Sequence, residues 1–434
     1  MARYIVKSRT PLPVTAATRQ CRMTPQERKK QISDVKSLRE TSKLSGEIRE
    51  WLGDNPTDAI VALEGARAGV VAAASTRSGP RKAPRTPELV GKGVTGTYLM
   101  ELAPEQATQL TIDMPDVTVI ADRPITLIEP IQTETVGTKL DTDEKPWLWI
   151  HEMVRSSFAR SRGITGEGVT VAVLDTGIES AHPELAGRVV RGVTLDVAQG
   201  KWTHVNPLTD TASHGTHVAG IIGGVNVGCA PGVKLAGAIM IPGGNGWLSD
   251  FILALEWAAA TPEIQIVNVS AGLPGFFPEM LDSMKDVISV GLLPVIATGN
   301  EGRNTSRSPG NYDAPISVGA CDRHRRVASF SSGGTIVYQN QQYLVPDLVA
   351  PGVGVYSCVP KTSYAIKDGT SMATPVVAAV AALLLEQYPT ATVPDLIEAL
   401  VTTCDDLSLP NMVVPADRQG HGLVNYEKAM SYFP

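Results

Sequence analysis

Gly369-Thr370-Ser371-Met372-Ala373-Thr374-Pro375 places a serine at the start of an apolar run, Val376 to Leu385, that reads as a buried helix. A serine hydroxyl is a poor nucleophile at neutral pH. It becomes a good one beside a base, with donors aimed at the oxyanion its attack creates. Three other stretches could supply those parts. Leu174-Asp175-Thr176-Gly177 closes an apolar run with a carboxylate, which could orient a neighbouring base or merely open a turn. Ser213-His214-Gly215-Thr216-His217-Val218-Ala219-Gly220 carries two histidines one helical turn apart. Such a pair could bind a metal, but no third ligand and no H-E-x-x-H glutamate accompany it, so His214 reads better as a general base. Val295 to Gly302 delivers Asn300 into a glycine-flanked loop, where its amide could donate to an oxyanion or shape a turn. A D-T-G triplet also occurs in aspartic proteases, but those need two carboxylates and the chain has one such triplet.

The surrounding elements would hold these residues on one framework. Gly168 to Leu174 is a nearly continuous apolar run, as expected of a strand buried on both faces. Further strands are expected at 234–239, 264–269, 293–297, 316–318 and 348–349, and helices at 214–222, 247–260, 280–290 and 371–387. The alternation predicts an α/β fold, a mostly parallel sheet with helices on both faces. Ligands in such sheets sit at the carboxyl ends of the strands. Ahead of it lies a smaller α+β unit: strands at 4–6, 96–102 and 117–121, a further edge strand at 124–128, and helices from Thr24-Pro25 and over 104–112. In the first of these helices Ile32, Val35, Leu38, Leu44, Ile48 and Trp51 fall near helical spacing. Residues 75–93 read as a loop, and 133–145 as polar and exposed. The expected organisation is 1–132, a linker at 133–146, and 147–434.

Taken together, the four stretches resemble the subtilisin-like serine proteases (subtilases), in which Asp, His and Ser boxes follow one another in this order. The resemblance spans most of residues 147–432. It implies a serine endopeptidase working through an acyl-enzyme. Ser371 would attack, His214 would carry the proton, and Asp175 would orient the imidazole. Asn300 and the Ser371 N–H, at the positive end of a helix, would hold the oxyanion. The same resemblance implies a groove for an extended peptide between Gly244-Asn245-Gly246 and Ser270-Ala271-Gly272, with Leu248 lining an apolar pocket. Ala297, Thr298 and Gly299 would wall the primary specificity pocket, with Glu301 and Arg307 near its rim and opposite in charge. Residues 1–132 resemble the family's inhibitory propeptide domain, with a longer segment between Pro11 and Lys92. The implied partners are a peptide or protein substrate and the chain's own N-terminal domain, with autocleavage between Glu129 and Lys145. Family members with a tight calcium site have a longer loop after the histidine helix than Ile221 to Gly228, so no metal and no cofactor are expected. Two other readings are a retained regulatory N-terminal domain and an inactive scaffold of the same fold, the second opposed by the complete set of catalytic residue types.

The bulk composition is compatible with this reading. The 434 residues are 43% hydrophobic and 19% charged, enough for a sizeable core. A net charge of −6 argues against nucleic-acid binding. Residues 1–50 hold twelve Lys/Arg against five Asp/Glu, which suits either a basic segment docked on an acidic body or a solvated basic helix. No continuous apolar run of membrane-spanning length and no secretory leader stand out. The five cysteines, Cys21, Cys229, Cys321, Cys358 and Cys404, lack metal or disulfide spacing. Together these point to a cytoplasmic protein, or a secreted one if a leader has been removed.

Overall fold

The computed structural model describes residues 2–8, 23, 25–40, 47–48, 50–51, 96–137, 145, 147–408 and 413–434. The stretch read as a loop at 75–93, together with Leu44 and Cys21, lies outside them. At the centre is an eight-stranded sheet in the order 348–351, 316–321, 293–297, 266–269, 170–175, 234–239, 189–196, 201–204. Its pairs are parallel except the last. Thr170–Asp175 is buried along its whole length. Side chains alternate across a strand. Val171 and Val173 therefore pack with the helices His214–Gly223 and Thr370–Gln387, and Ala172 and Leu174 with Leu248–Ala260 and Leu281–Ser289. This two-faced burial is why the sequence reads there as an unbroken apolar run. Thr370–Gln387 is long and apolar enough to cross a membrane by length and mean hydropathy. Its polar ends hide this in a search for a continuous apolar run, and every residue from Thr370 to Leu385 is buried within the fold.

The N-terminal unit is a three-stranded antiparallel sheet with Ala2–Ser8 between Thr97–Leu102 and Val117–Ala121. One face closes on its own small core, which includes Val6, Leu102, Leu110 and Val117. The other face turns Ile5 and Ile120 onto the helices Leu248–Ala260 and Leu281–Ser289. Lys7 shares the face of Ile5 and makes a buried ion pair with Asp286, 2.7 Å. Asp122 accepts from the Ser249 N–H (2.9 Å) and hydroxyl (2.7 Å) at the start of the helix Leu248–Ala260, where a carboxylate also complements the helix dipole. In the helix Pro25–Glu40, Arg28 is buried and donates to Gly291 O (3.2 Å), while Lys29 and Lys30 are exposed. The basic segment is thus part docked and part solvated. The edge strand expected at 124–128 is a correction: Pro124–Leu127 does not join the N-terminal sheet but pairs with Asn245–Trp247 and Ala271–Pro274. The polar stretch from 133 is exposed as far as 136, but it is not irregular. Gln132–Gly137 is a strand, antiparallel to Ser363–Asp368.

Candidate active site

Asp175, His214 and Ser371 come together at the carboxyl edge of the sheet, each almost fully buried. Asp175 ends the central strand. Both its carboxylate oxygens lie 2.9 Å from His214 Nδ1, and Oδ1 also accepts from the Thr176 N–H at 2.7 Å. The imidazole is therefore fixed with Nε2 directed away from the carboxylate, and Nε2 has no hydrogen-bond partner among the described residues. Gly215 makes this approach possible: a Cβ there would collide with Gly177 O and crowd Asp175. Ser371 sits in the first turn of the eighteen-residue helix, where backbone N–H groups have no intrahelical acceptor. Asn300 is held by its oxygen: Oδ1 accepts from the Thr370 N–H and hydroxyl, both 2.9 Å, which aims Nδ2 outward.

The space between the two expected groove edges is filled by a strand of this chain. Pro124–Leu127 lies as an antiparallel strand between the two edges, with Thr126 opposite Asn245 and Gly272, Ile125 opposite Gly246, and Leu127 opposite Ala271. Ile128 N–H continues the ladder to Ser270 O at 3.1 Å. Ile125, Leu127 and Ile128 are buried, and Leu248 packs in one core cluster with Ile125 and Leu127. The Ser371 hydroxyl donates to Ile128 O (2.9 Å), and Asn300 Nδ2 donates to the next carbonyl, Glu129 O (2.8 Å). Ile131 N–H then reaches Asp368 O (2.8 Å), leading into the strand Gln132–Gly137. The Ile128 carbonyl therefore meets the serine and the Glu129 carbonyl the asparagine, at the near end of the window expected from polarity alone. Strand register, which polarity does not encode, decides it.

Gly244, Asn245, Gly246, Ser270, Ala271 and Gly272 all line this strand. Gly299 adopts φ +120°, where a side chain would strain the backbone and meet Glu301 and Ser332. The Thr298 hydroxyl is turned inward to Val318 O and Ser332 O (3.1 and 3.2 Å), so only its backbone is left to wall a pocket. The rim charges are not free to compete, because Arg307 Nε donates to Glu301 Oε1 at 2.7 Å. His217 faces away from the site, its Nε2 3.0 Å from Ala365 O, and burial holds its pKa well below the usual value. The histidine pair therefore does not converge on one ligand.

Sequence reading missed the supporting residues. Asp210 accepts from Thr176 Oγ1 (2.7 Å), from the Thr216 N–H (2.8 Å) and from the Ala212 N–H (2.9 Å), tying the Asp175 turn to the start of the histidine helix. A carboxylate four residues before a helix-initial histidine was the available signal. Thr370 had one too, a hydroxyl adjacent to the serine. Lys367 is buried beside them and donates to Ser213 O and Oγ (3.3 and 3.1 Å). Burial lowers its pKa, against the pull of Asp175, Asp210 and Glu129. No sequence signal marked it.

The short loop after the histidine helix is held by Glu184. This buried carboxylate accepts from the Asn226 N–H (2.8 Å), Asn226 Nδ2 (3.0 Å), the Val227 N–H (3.3 Å) and the Tyr364 hydroxyl (3.2 Å). Its charge is met by donors. Glu184→Ala strands those donors and is expected to cost about 3 kcal/mol, read as a lower denaturation midpoint. In the wild type, micromolar calcium is expected to move Tm little; a large calcium-dependent rise would show that a cation shares this role.

Comparison with known proteins identifies the family. The subtilase family model matches residues 166–422. Subtilisin E of Bacillus subtilis (strain 168) is 35% identical over 286 residues, 64% of this chain and 69% of the relative. Subtilisin Savinase of Lederbergia lenta is 37% identical over 287 residues, 65% of this chain and 97% of the relative. M-protease of Shouchella clausii (strain KSM-K16) is 34% identical over 336 residues, 76% of this chain and 78% of the relative. With its buried Asp-His pair, its serine at a helix start and its pinned asparagine at one sheet edge, the chain belongs to the subtilase family and is a serine endopeptidase.

Proposed function

We propose that Ser371, His214, Asp175 and Asn300 perform the peptide hydrolysis, and that the protein is made as a zymogen whose own residues 124–137 occupy the groove. In the reaction, His214 Nε2 takes the hydroxyl proton as Ser371 Oγ bonds to the scissile carbonyl carbon. The resulting oxyanion is held by Asn300 Nδ2 and the Ser371 N–H. Collapse expels the amine, protonated by His214, and leaves an acyl-enzyme that water cleaves by the same steps in reverse. Asp175 favours the imidazolium that forms between them.

The observation that carries the zymogen reading is the chain's own strand lying across the centre. Ser371 donates its hydroxyl proton to the oxygen of the Ile128 carbonyl, whose carbon it would attack, instead of to His214, and Asn300 donates to the following carbonyl. Cleavage requires the Ile128 carbonyl to rotate onto Asn300 and the hydroxyl to turn to Nε2. In this reading residues 1–132 are the inhibitor and 147–434 the enzyme, with 133–146 between them. N-terminal sequencing of incubated protein is expected to find a new terminus at Glu129 or beyond in the wild type and none in Ser371→Ala. An identical pattern in both would defeat self-processing. A fluorophosphonate is expected to label Ser371 once the groove opens; failure to label would defeat the nucleophile assignment.

A further inference from the structure

The chain's own strand reports a contact that the groove edges alone do not imply. Arg307 Nη1 donates to Thr126 Oγ1 at 3.0 Å and to Gly272 O at 3.3 Å. Thr126 lies two residues before Ile128, whose carbonyl meets the serine. Side chains at that position sit over the strand pair, and this one is half-buried. Arg307 reaches it from the strand Arg307–Ser308, next to Ala271–Pro274. Gly272 leaves the room: a Cβ there would lie 3.1 Å from Arg307 Cβ and 2.8 Å from Ser308 O. The guanidinium is oriented from behind by Glu301, through Nε at 2.7 Å and Nη2 at 2.5 Å.

We infer that Arg307 reads the third residue before the cut and selects a hydroxyl there, so that the substrate class is an apolar peptide carrying Thr or Ser at that position. The inference rests on the groove reading above. An unpaired arginine would favour Asp or Glu. Glu301 already meets the positive charge, so a second carboxylate would be repelled while a neutral acceptor is kept. Ile125 and Ile128, buried on either side, make the favoured sequence resemble Ile-Thr-Leu-Ile.

The contact is tested in the full-length chain by the rate at which a fluorophosphonate labels Ser371. Valine keeps the shape of threonine without the acceptor. Thr126→Val is expected to speed labelling about 3- to 10-fold, the scale of one hydrogen bond. In an Arg307→Met background the same change is expected to do nothing further. A Thr126→Val effect that is absent, or equal in both backgrounds, would overturn the inference. In trans, self-processed enzyme is expected to cleave an Ile-Thr-Leu-Ile anilide about 3- to 10-fold more efficiently than its Ile-Val-Leu-Ile or Ile-Glu-Leu-Ile analogues. Equal or reversed kcat/KM would likewise overturn it, while leaving the protease reading intact. No labelling in any variant, even with residues 1–128 proteolysed away, would overturn both.

Discussion

Ser371→Ala is expected to lower kcat for peptide hydrolysis about 10⁶-fold while leaving the fold unchanged by circular dichroism. That figure is the one known for the equivalent serine in subtilisin, a relative of this chain, and it corresponds to about 8 kcal/mol of barrier. The physical reason lies in the coupling seen here. His214 is held by Asp175 at 2.9 Å, and in the proposed mechanism its Nε2 takes the serine proton. Without the hydroxyl that preorganised base does nothing. His214→Ala added to Ser371→Ala is therefore expected to cost almost nothing more, because the residues act as a unit. A further fall of several orders of magnitude in the double variant would show that His214 contributes independently. Residual hydrolysis above water should remain, from Asn300 and the helix start, whose geometry the substitution does not touch.

Lys7→Met is expected to speed fluorophosphonate labelling of Ser371 in the full-length chain by about 100-fold or more. Lys7 and Asp286 pair at 2.7 Å, with 2% and 5% of their side chains exposed, across the junction of the N-terminal sheet and the helix Leu281–Ser289. Breaking a buried pair by removing one partner costs about 3–5 kcal/mol, mostly because the other charge is left desolvated. That cost falls on the docked state, since on undocking Asp286 returns to water. Weaker docking then releases the strand at 124–127. Lys7→Met combined with Asp286→Leu is expected to label more slowly than Lys7→Met alone, because the carboxylate left without its lysine is then removed as well. Unchanged labelling in Lys7→Met would mean that the groove strand holds without the domain behind it.

Much of the centre was legible from residue types and order. Asp175, His214, Asn300 and Ser371 each sit where a buried strand or an apolar helix begins or ends, and such boundaries show in a hydrophobic pattern. The strands at 234–239 and 293–297 match their expected bounds for the same reason. The strand at 124–127 was found, but its partner was not. An apolar four-residue run declares itself extended and says nothing about which edge it joins. Thr298 was placed by position in a wall, while the direction of its hydroxyl depends on Val318 and Ser332, remote in sequence.

What the sequence determined by itself is the chemistry: a serine, a histidine, a carboxylate and an amide donor, on a parallel sheet whose carboxyl edge gathers them. Local pattern suffices there because burial and helix starts are written in neighbouring residues. The tertiary structure alone decided what that chemistry faces. It put the Ile128 carbonyl at the serine, Lys7 on Asp286, and Arg307 between Glu301 and Thr126. Each of these depends on strand register or on the meeting of distant segments. A shift of one residue in register would exchange every side chain in the groove for its neighbour.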